Sequence, residues 1–254
     1  MVVPSSGYPL HRPELYDALC EGDALLLRAM AGRAERFDKG RKIVLTGEES
    51  ETVYRLRTGW LSRTRLIDDG RRQIIMIFLP GDLVGVKCML MREQPDTIEC
   101  LTAVTVDAID HQQARRLVET NGRIALRMLF QLGEDERRLH NWVIGLGRGN
   151  ADERIAVMLL DFRGRLHRAG LLNGNNTFRL PMTQQEIGDY LGLTVVHVNR
   201  VLRRLREAGL ATVKGGTATI HDAAGLQRIA NPLQDVFERA APEFGGSPGN
   251  AANP

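Results

Sequence analysis

The chain has 254 residues, of which 43% are hydrophobic and 26% charged. That is the make-up of a globular protein with one large domain or two ordinary ones. Its net charge is only +3, so it is no general polyanion binder, and any nucleic-acid role must rest on local charge. No apolar run is long enough to cross a bilayer. The first residues, MVVPSSGYPLHRPELYDAL, lack the charged-then-apolar form of a signal peptide, which points to a cytoplasmic protein without a membrane partner. Cys20, Cys88 and Cys100 are odd in number and show no CxxC spacing. They read as reduced packing thiols, since an iron–sulfur cluster needs four ligands.

From about residue 40 to 110 the pattern has period two. Tyr54 and Leu56 alternate with Arg55 and Arg57, and Asp69-Gly70 is a hairpin turn between LSRTRLI and RRQIIMIFL. CLTAVTVDAI, residues 100–109, reads as a further strand. Short strands with glycine turns predict a compact antiparallel barrel or jelly roll. After residue 111 the period changes. HQQARRLVETN is a short helix, broken at Asn121-Gly122.

Arg123 to Leu146 reads as one long helix. Ala125, Leu132, Leu139 and Leu146 recur every seven residues, with Met128, Leu129, Trp142 and Val143 on the intermediate line. Such a seam fits either a helix lying on its own barrel or a dimer contact. Asp135 and Glu136 interrupt it. Facing symmetry mates, they would repel and weaken a dimer; at the edge of the seam, they would simply be solvated. Gly147–Asn150 is a hinge-like break, and ADERIAVMLLDF starts a new helix with acids in its first turn.

The segment MTQQEIGDYLGLTVVHVNRVLRRLREAGL holds two helices and a tight turn. Thr183 and Glu186 form a capping box, Gly192 ends the first helix, and Thr194 caps the second. Val198, Leu202 and Leu205 are spaced to face a core, and Val195 to pack on the first helix. On the outward side Val196, Arg200 and Arg203 share a face with Asn199 beside them, flanked by His197 and Arg204. Residues 194–206 hold four arginines and no acid. An ordinary solvated helix would account for that much. LATVKGGTATI adds a short hairpin with Lys214, shaped as a wing, and from Phe178 to His221 six basic residues face three acidic ones. Together these favour a DNA-reading unit. Arg200 is placed to grip a guanine and Asn199 an adenine, while Val196 can pack only on a thymine methyl.

On these residues, and on KGRKIVLTGEES, VYRLRTGW, DDGRR, FLPGDLVG and NADERIAVMLLDF, the chain resembles the cAMP-receptor and fumarate–nitrate-regulator (Crp/Fnr) family of bacterial transcription factors, over roughly residues 20–230. The resemblance implies an α+β fold: an N-terminal antiparallel β-roll like the cyclic-nucleotide-binding jelly roll, a long dimerisation helix and a C-terminal winged helix-turn-helix. Residues 1–120 would form the roll with its N-terminal helices, 121–149 the dimer helix and hinge, and 150–232 the DNA-binding domain. Residues 233–254 would be a helix remnant and a disordered tail. The resemblance resolves the seam in favour of a parallel homodimer through Ala125, Met128, Leu129, Leu132, Leu139, Trp142, Val143 and Leu146.

It also implies that Arg200 keeps the family's guanine-reading position while Val196 replaces a family Glu that accepts from cytosine; Asn199 and Arg203 complete the base-reading set from the helix face they share with these two. Thr183, Thr194 and His197 match phosphate-contacting positions, and Gln184, Arg204 and Lys214 complete that set. Cyclic-nucleotide-binding members carry a Glu where Val86 stands here and an Arg pair where Asp96-Thr97 stands, so cAMP binding is not expected. No His lies in residues 41–110, which argues against iron held inside the roll. The expected partners are palindromic double-stranded DNA, a second copy, RNA polymerase and an unidentified small-molecule effector, with no cofactor and no metal. The expected role is a signal-responsive activator, with a constitutive DNA binder or a repressor as alternatives. A catalytic or ligand-binding barrel is the remote alternative, because no nucleophile motif, phosphate loop or paired metal ligands occur and the six histidines are dispersed.

Overall fold

A computed structural model of the chain describes residues 12–172 and 176–233. Helix α1 (Tyr16–Ala29) precedes eight strands: β1 (Ala34–Phe37), β2 (Lys42–Val44), β3 (Thr52–Thr58), β4 (Leu61–Leu66), β5 (Arg72–Phe78), β6 (Leu83–Val84), β7 (Thr97–Cys100) and β8 (Val104–Asp110). They form two four-stranded antiparallel sheets, in the orders β1-β8-β3-β6 and β2-β7-β4-β5. Alternate side chains of the two sheets meet in a core that includes Leu56, Leu61, Phe78, Ile98 and Val106. The stretch 100–109, expected as one strand, is the end of β7, a turn and β8. The break follows from the side chains: Leu101 points away to join a different core, and Thr102 Oγ1 accepts from the Trp60 N–H at 3.0 Å.

Three helices follow: α2 (His111–Thr120), α3 (Gly122–Arg148) and α4 (Ala151–Arg168). Asp110 caps α2, Asn121 caps α3, and Asn150 with Glu153 forms a capping box on α4. The hinge expected at 147–150 is therefore narrower, since α3 runs through to Arg148. The far end of the chain packs α4, α5 (Gln184–Leu191), α6 (Val195–Glu207) and α7 (Ala223–Ala230) with a three-stranded sheet, β10-β11-β9. Strand β9 (Thr177–Arg179) pairs with β11 (Thr217–Ile220), which pairs with β10 (Ala211–Lys214). The predicted tail beyond residue 233 lies outside the described residues. No helix among the described residues is long and apolar enough to cross a membrane.

The two halves share a core. Trp60, Ile74, Ile77, Leu79 and Leu101 of the roll belong to the same buried cluster as Phe162, Ile187, Val198 and Leu226. Trp60 meets Phe162 edge-on at 5.1 Å, and Tyr190 stacks on Phe162 from 6.0 Å. Polar contacts surround this seat. Arg72 Nε donates to Asp189 at 3.0 Å and Gln73 donates to the Asp189 carbonyl. Arg154 gathers three helix-end carbonyls, those of Gly149, Leu191 and Leu146, at 2.9, 3.0 and 3.0 Å. A cation there offsets the negative ends of α3 and α5.

Helix α3 spends most of its expected seam on its own chain. Met128 is 2% exposed within the cluster beneath α1 and α2. Leu132 packs on that cluster and Leu139 on the core of the roll. Trp142 Nε1 donates to the Tyr190 carbonyl at 2.8 Å, and Ala125 and Leu146 are half-buried. Leu129 and Val143 stay open, at 65% and 59% exposure. The exposed line on this helix runs Leu129, Gly133, Glu136, His140, Val143, Gly147. It keeps the seven-residue repeat but is turned by one residue, about 100° around the axis. The same rotation separates the two acids. Glu136 is exposed, whereas Asp135 is buried inside its own chain, accepting from Gln131 at 2.9 Å and lying 3.5 Å from Arg138. The pair therefore does not face a common partner, as the repulsion idea required.

Candidate nucleic-acid interface

The two-helix unit is built by short-range chemistry. Thr183 Oγ1 accepts from the Glu186 N–H at 3.1 Å, and the Glu186 carboxylate accepts from the Thr183 N–H at 2.6 Å. Helix α5 ends at Gly192, whose φ of 64° is left-handed. Thr194 Oγ1 then accepts from the His197 N–H at 3.3 Å to start α6. Gly188 makes the tight turn possible: a Cβ there would collide with the Leu193 carbonyl oxygen. On α6, Val198, Val201 and Leu205 are buried and Leu202 partly so. The amphipathic expectation thus holds, with Val201 added. Val195, expected to be buried, is half-buried.

The opposite face of α6 is open. Val196 is 64% exposed, and His197, Asn199, Arg200, Arg203 and Arg204 are exposed with it. Thr183, Gln184 and Thr194 are exposed at the adjacent helix starts, and Lys214 at the wing. All ten candidate residues thus belong to the two-helix unit and its hairpin. They are not equally available. Arg203 lies a loose 3.8 Å from Glu207. Arg204 is held by Asp152 through contacts of 3.0 and 2.5 Å. Arg200 makes no ion pair among the described residues. Strands β10 and β11 turn through Gly215 and Gly216, both at positive φ, and the Leu180 N–H donates to the Gly216 carbonyl at 2.8 Å, which fixes the wing to the body of the domain. A helix with an arginine-rich outer face, preceded by helix starts rich in hydroxyls and followed by a basic hairpin, can hold a duplex by its phosphates and reach base edges.

A second feature lies inside the roll. A cavity with ≈ 20 Å³ of room is lined by Arg63, Val86, Lys87, Gln94, Asp96 and Asp135, among others; that space is on the scale of a single water. Asp96 accepts from Arg65 at 2.9 Å and lies 3.6 Å from Arg63. The sequence left no arginine beside Asp96; the fold brings two from β4. Burial and the charge of Arg63 push the Lys87 ammonium below its usual range, while Asp96 and Asp135 act the other way. These residues do not fit a cyclic nucleotide. An aspartate already holds the arginines a phosphate would need, and Val86 offers a ribose nothing to bond.

The cysteines are not paired with one another. Burial, then neighbouring acids, push the Cys88 and Cys100 thiols up to about 11, the state of inert packing thiols. Glu51, Asp110 and His111 gather at the start of α2. Asp110 spends one oxygen capping the Gln112 and Gln113 N–H groups, and the positive end of a helix is a poor place for a cation.

Comparison with known proteins agrees with both halves. Residues 153–229 match the model of the Crp-like helix-turn-helix domain, and residues 34–121 that of the cyclic nucleotide-binding domain. The chain is 30% identical to the transcriptional activator protein FnrA of Stutzerimonas stutzeri, over 80% of its length and 83% of that protein. It is 31% identical to the nitrogen fixation regulation protein FixK of Bradyrhizobium diazoefficiens, over 84% and 90%. The solved structure of FixK2 from Bradyrhizobium japonicum aligns with a TM-score of 0.70 at 26% identity, covering 77% of this chain and 96% of that one.

Proposed function

Because the chain belongs to the Crp/Fnr family of DNA-binding transcription regulators, we propose that it works as a cytoplasmic homodimer that reads a palindromic promoter site and activates transcription through RNA polymerase. The observation that carries this reading is α6, whose apolar side is sealed in the core while Val196, Asn199, Arg200 and Arg203 stand open. Base reading falls to these four, and phosphate holding to Thr183, Gln184, Thr194, His197, Arg204 and Lys214. The dimer forms along the open line of α3, from Leu129 to Gly147, where Gly133 and Gly147 let two helices come close. Two-fold symmetry then sets the reading helices about 34–36 Å apart, one turn of DNA.

The signal is neither cAMP nor an iron–sulfur cluster. A second reading, a constitutive binder with no effector, draws support from the cavity, which the chain fills with its own paired charges. Selection from random duplexes with the purified protein tests the main reading. An enriched two-fold-symmetric motif is expected; recovery of no motif over bulk competitor would overturn it. Repeating the selection with and without cell extract separates a gated regulator from a constitutive one.

A further inference from the structure

One set of buried polar groups that DNA reading leaves unused converges on a single carboxylate. Asp82 sits in the turn between β5 and β6 and is 9% exposed. One of its oxygens accepts from Arg138 of α3 at 3.2 Å. The other accepts from Arg165 of α4 at 2.6 Å and from the Leu79 N–H at 2.8 Å. Arg165 also donates to the Ile77 carbonyl at 2.8 Å and to Asp161 at 3.2 Å. It is thus a buried charge that α4, on the DNA-binding side, sends into the roll. Arg138 is shared, since its other nitrogen lies 3.5 Å from Asp135, and Asp135 forms part of the cavity wall. A continuous line of charge therefore runs from the cavity to the winged domain.

We propose that Asp82 is a regulatory latch: it holds the DNA-binding domain on the roll through Arg165, and the cavity tunes that hold through Arg138, which Asp82 shares with Asp135. The proposal rests on the reading of the chain as a DNA-binding regulator. A buried ion pair adds little over apolar packing of the same shape, yet losing one member strands the other's charge. Such a contact has two well-separated states, made and broken, which is what an element biased from two sites requires. Anything that alters the charge balance at Asp135 redistributes Arg138 between the two carboxylates and so reaches Asp82 without touching α4.

Hydrogen exchange on the full chain tests this. Residues 72–78 and 184–191, the facing segments of roll and winged domain, are the reporters. Asp82→Asn is expected to speed their exchange roughly tenfold or more. Asp135→Asn is expected to change exchange at the same amides, and the affinity for the selected DNA site, although among the described residues Asp135 makes no hydrogen bond or ion pair with either segment. That effect should vanish when Asp82→Asn is already present. Should Asp82→Asn fail to fold, Arg165→Lys, which keeps the charge but loses the fork, replaces it under the same criterion. Additive effects of the two substitutions, or no effect of Asp135→Asn at the reporter segments, overturn the latch. If the unaltered protein selects no DNA sequence, the functional reading fails instead, and hydrogen exchange still decides whether the latch exists.

Discussion

Arg204 of α6 and Asp152 at the start of α4 hold one another, Nε 3.0 Å from one carboxylate oxygen and Nη2 2.5 Å from the other. Both side chains are partly exposed, at 45% and 33%, so the pair adds at most about 1 kcal/mol to stability. In the proposed phosphate-holding role its effect on DNA is larger in kind, because a phosphate must compete with Asp152 for the same fork. Asp152→Asn is expected to tighten binding a few-fold and to steepen the salt dependence by about 0.9 for each reading helix engaged. Titrations by fluorescence anisotropy at several salt concentrations measure this, and an unchanged slope would exclude Arg204 from the phosphate set.

Arg200 and Val196 should report on sequence rather than on salt. Arg200→Ala is expected to cost about 1–3 kcal/mol of discrimination at one base pair per half-site. Val196→Glu should move the preferred base at one position towards cytosine. Lys214→Ala should weaken all sequences alike and flatten the salt slope. Parallel selections with each variant distinguish the three patterns.

Gly188 bears on how the two helices meet. A side chain there runs into the Leu193 carbonyl, so Gly188→Val must push α5 and α6 apart. The expected result is a loss of about 2–4 kcal/mol in stability and of sequence-specific binding, with most helical circular dichroism retained. Thermal melts and gel shifts measure the two effects.

Asp82 and Asp135 should respond to pH with opposite signs. Burial alone would raise the Asp82 carboxyl, but Arg138, Arg165 and the Leu79 N–H outweigh it and hold it at about 2. Its folded value lies below its unfolded one, near 4. Its contribution, about 2 kcal/mol, is therefore complete above pH ~4 and is lost as pH falls through about 2. At pH 7 Asp82→Asn should lower Tm by roughly 5 °C, and the gap to the unaltered protein should close between pH 4 and 2. Burial, aided by Asp82, pushes the Asp135 carboxyl up against the pull of Arg138, Gln131 and Arg63. An ionised Asp135 therefore costs stability, and Asp135→Asn should raise Tm at pH 7. Calorimetry across this range checks both signs.

The open line of α3 gives the test of assembly. Leu129→Asp together with Val143→Asp should yield monomers in sedimentation and weaken DNA binding sharply. Glu136→Gln, on the same line, should leave dimers intact.

What could be read from the sequence follows the range of each interaction. The caps at Thr183 and Thr194, the glycine at 192 and the wing turn at 215–216 act over a few residues, and the residue types there announce them. The outer face of α6 was legible for the same reason. The partners of that face were not. Arg204 finds Asp152 across 52 positions, Arg72 finds Asp189 across 117, and Arg165 finds Asp82 across 83. No periodicity encodes such pairings. Strand β9 was missed because three residues are too few to show alternation. On α3 apolar residues cover more than one side, and only the packed roll decides which side remains open.

Trp60, Ile74, Ile77 and Leu79 sit among the side chains that fill the winged domain. The DNA-reading end is consequently no interchangeable cassette. Cut out at the end of α3, it would carry away a raw oily socket shaped for an indole it no longer has. Transplanted onto a foreign sensor, it would need a matching aromatic plug before it could stand firm on its new base.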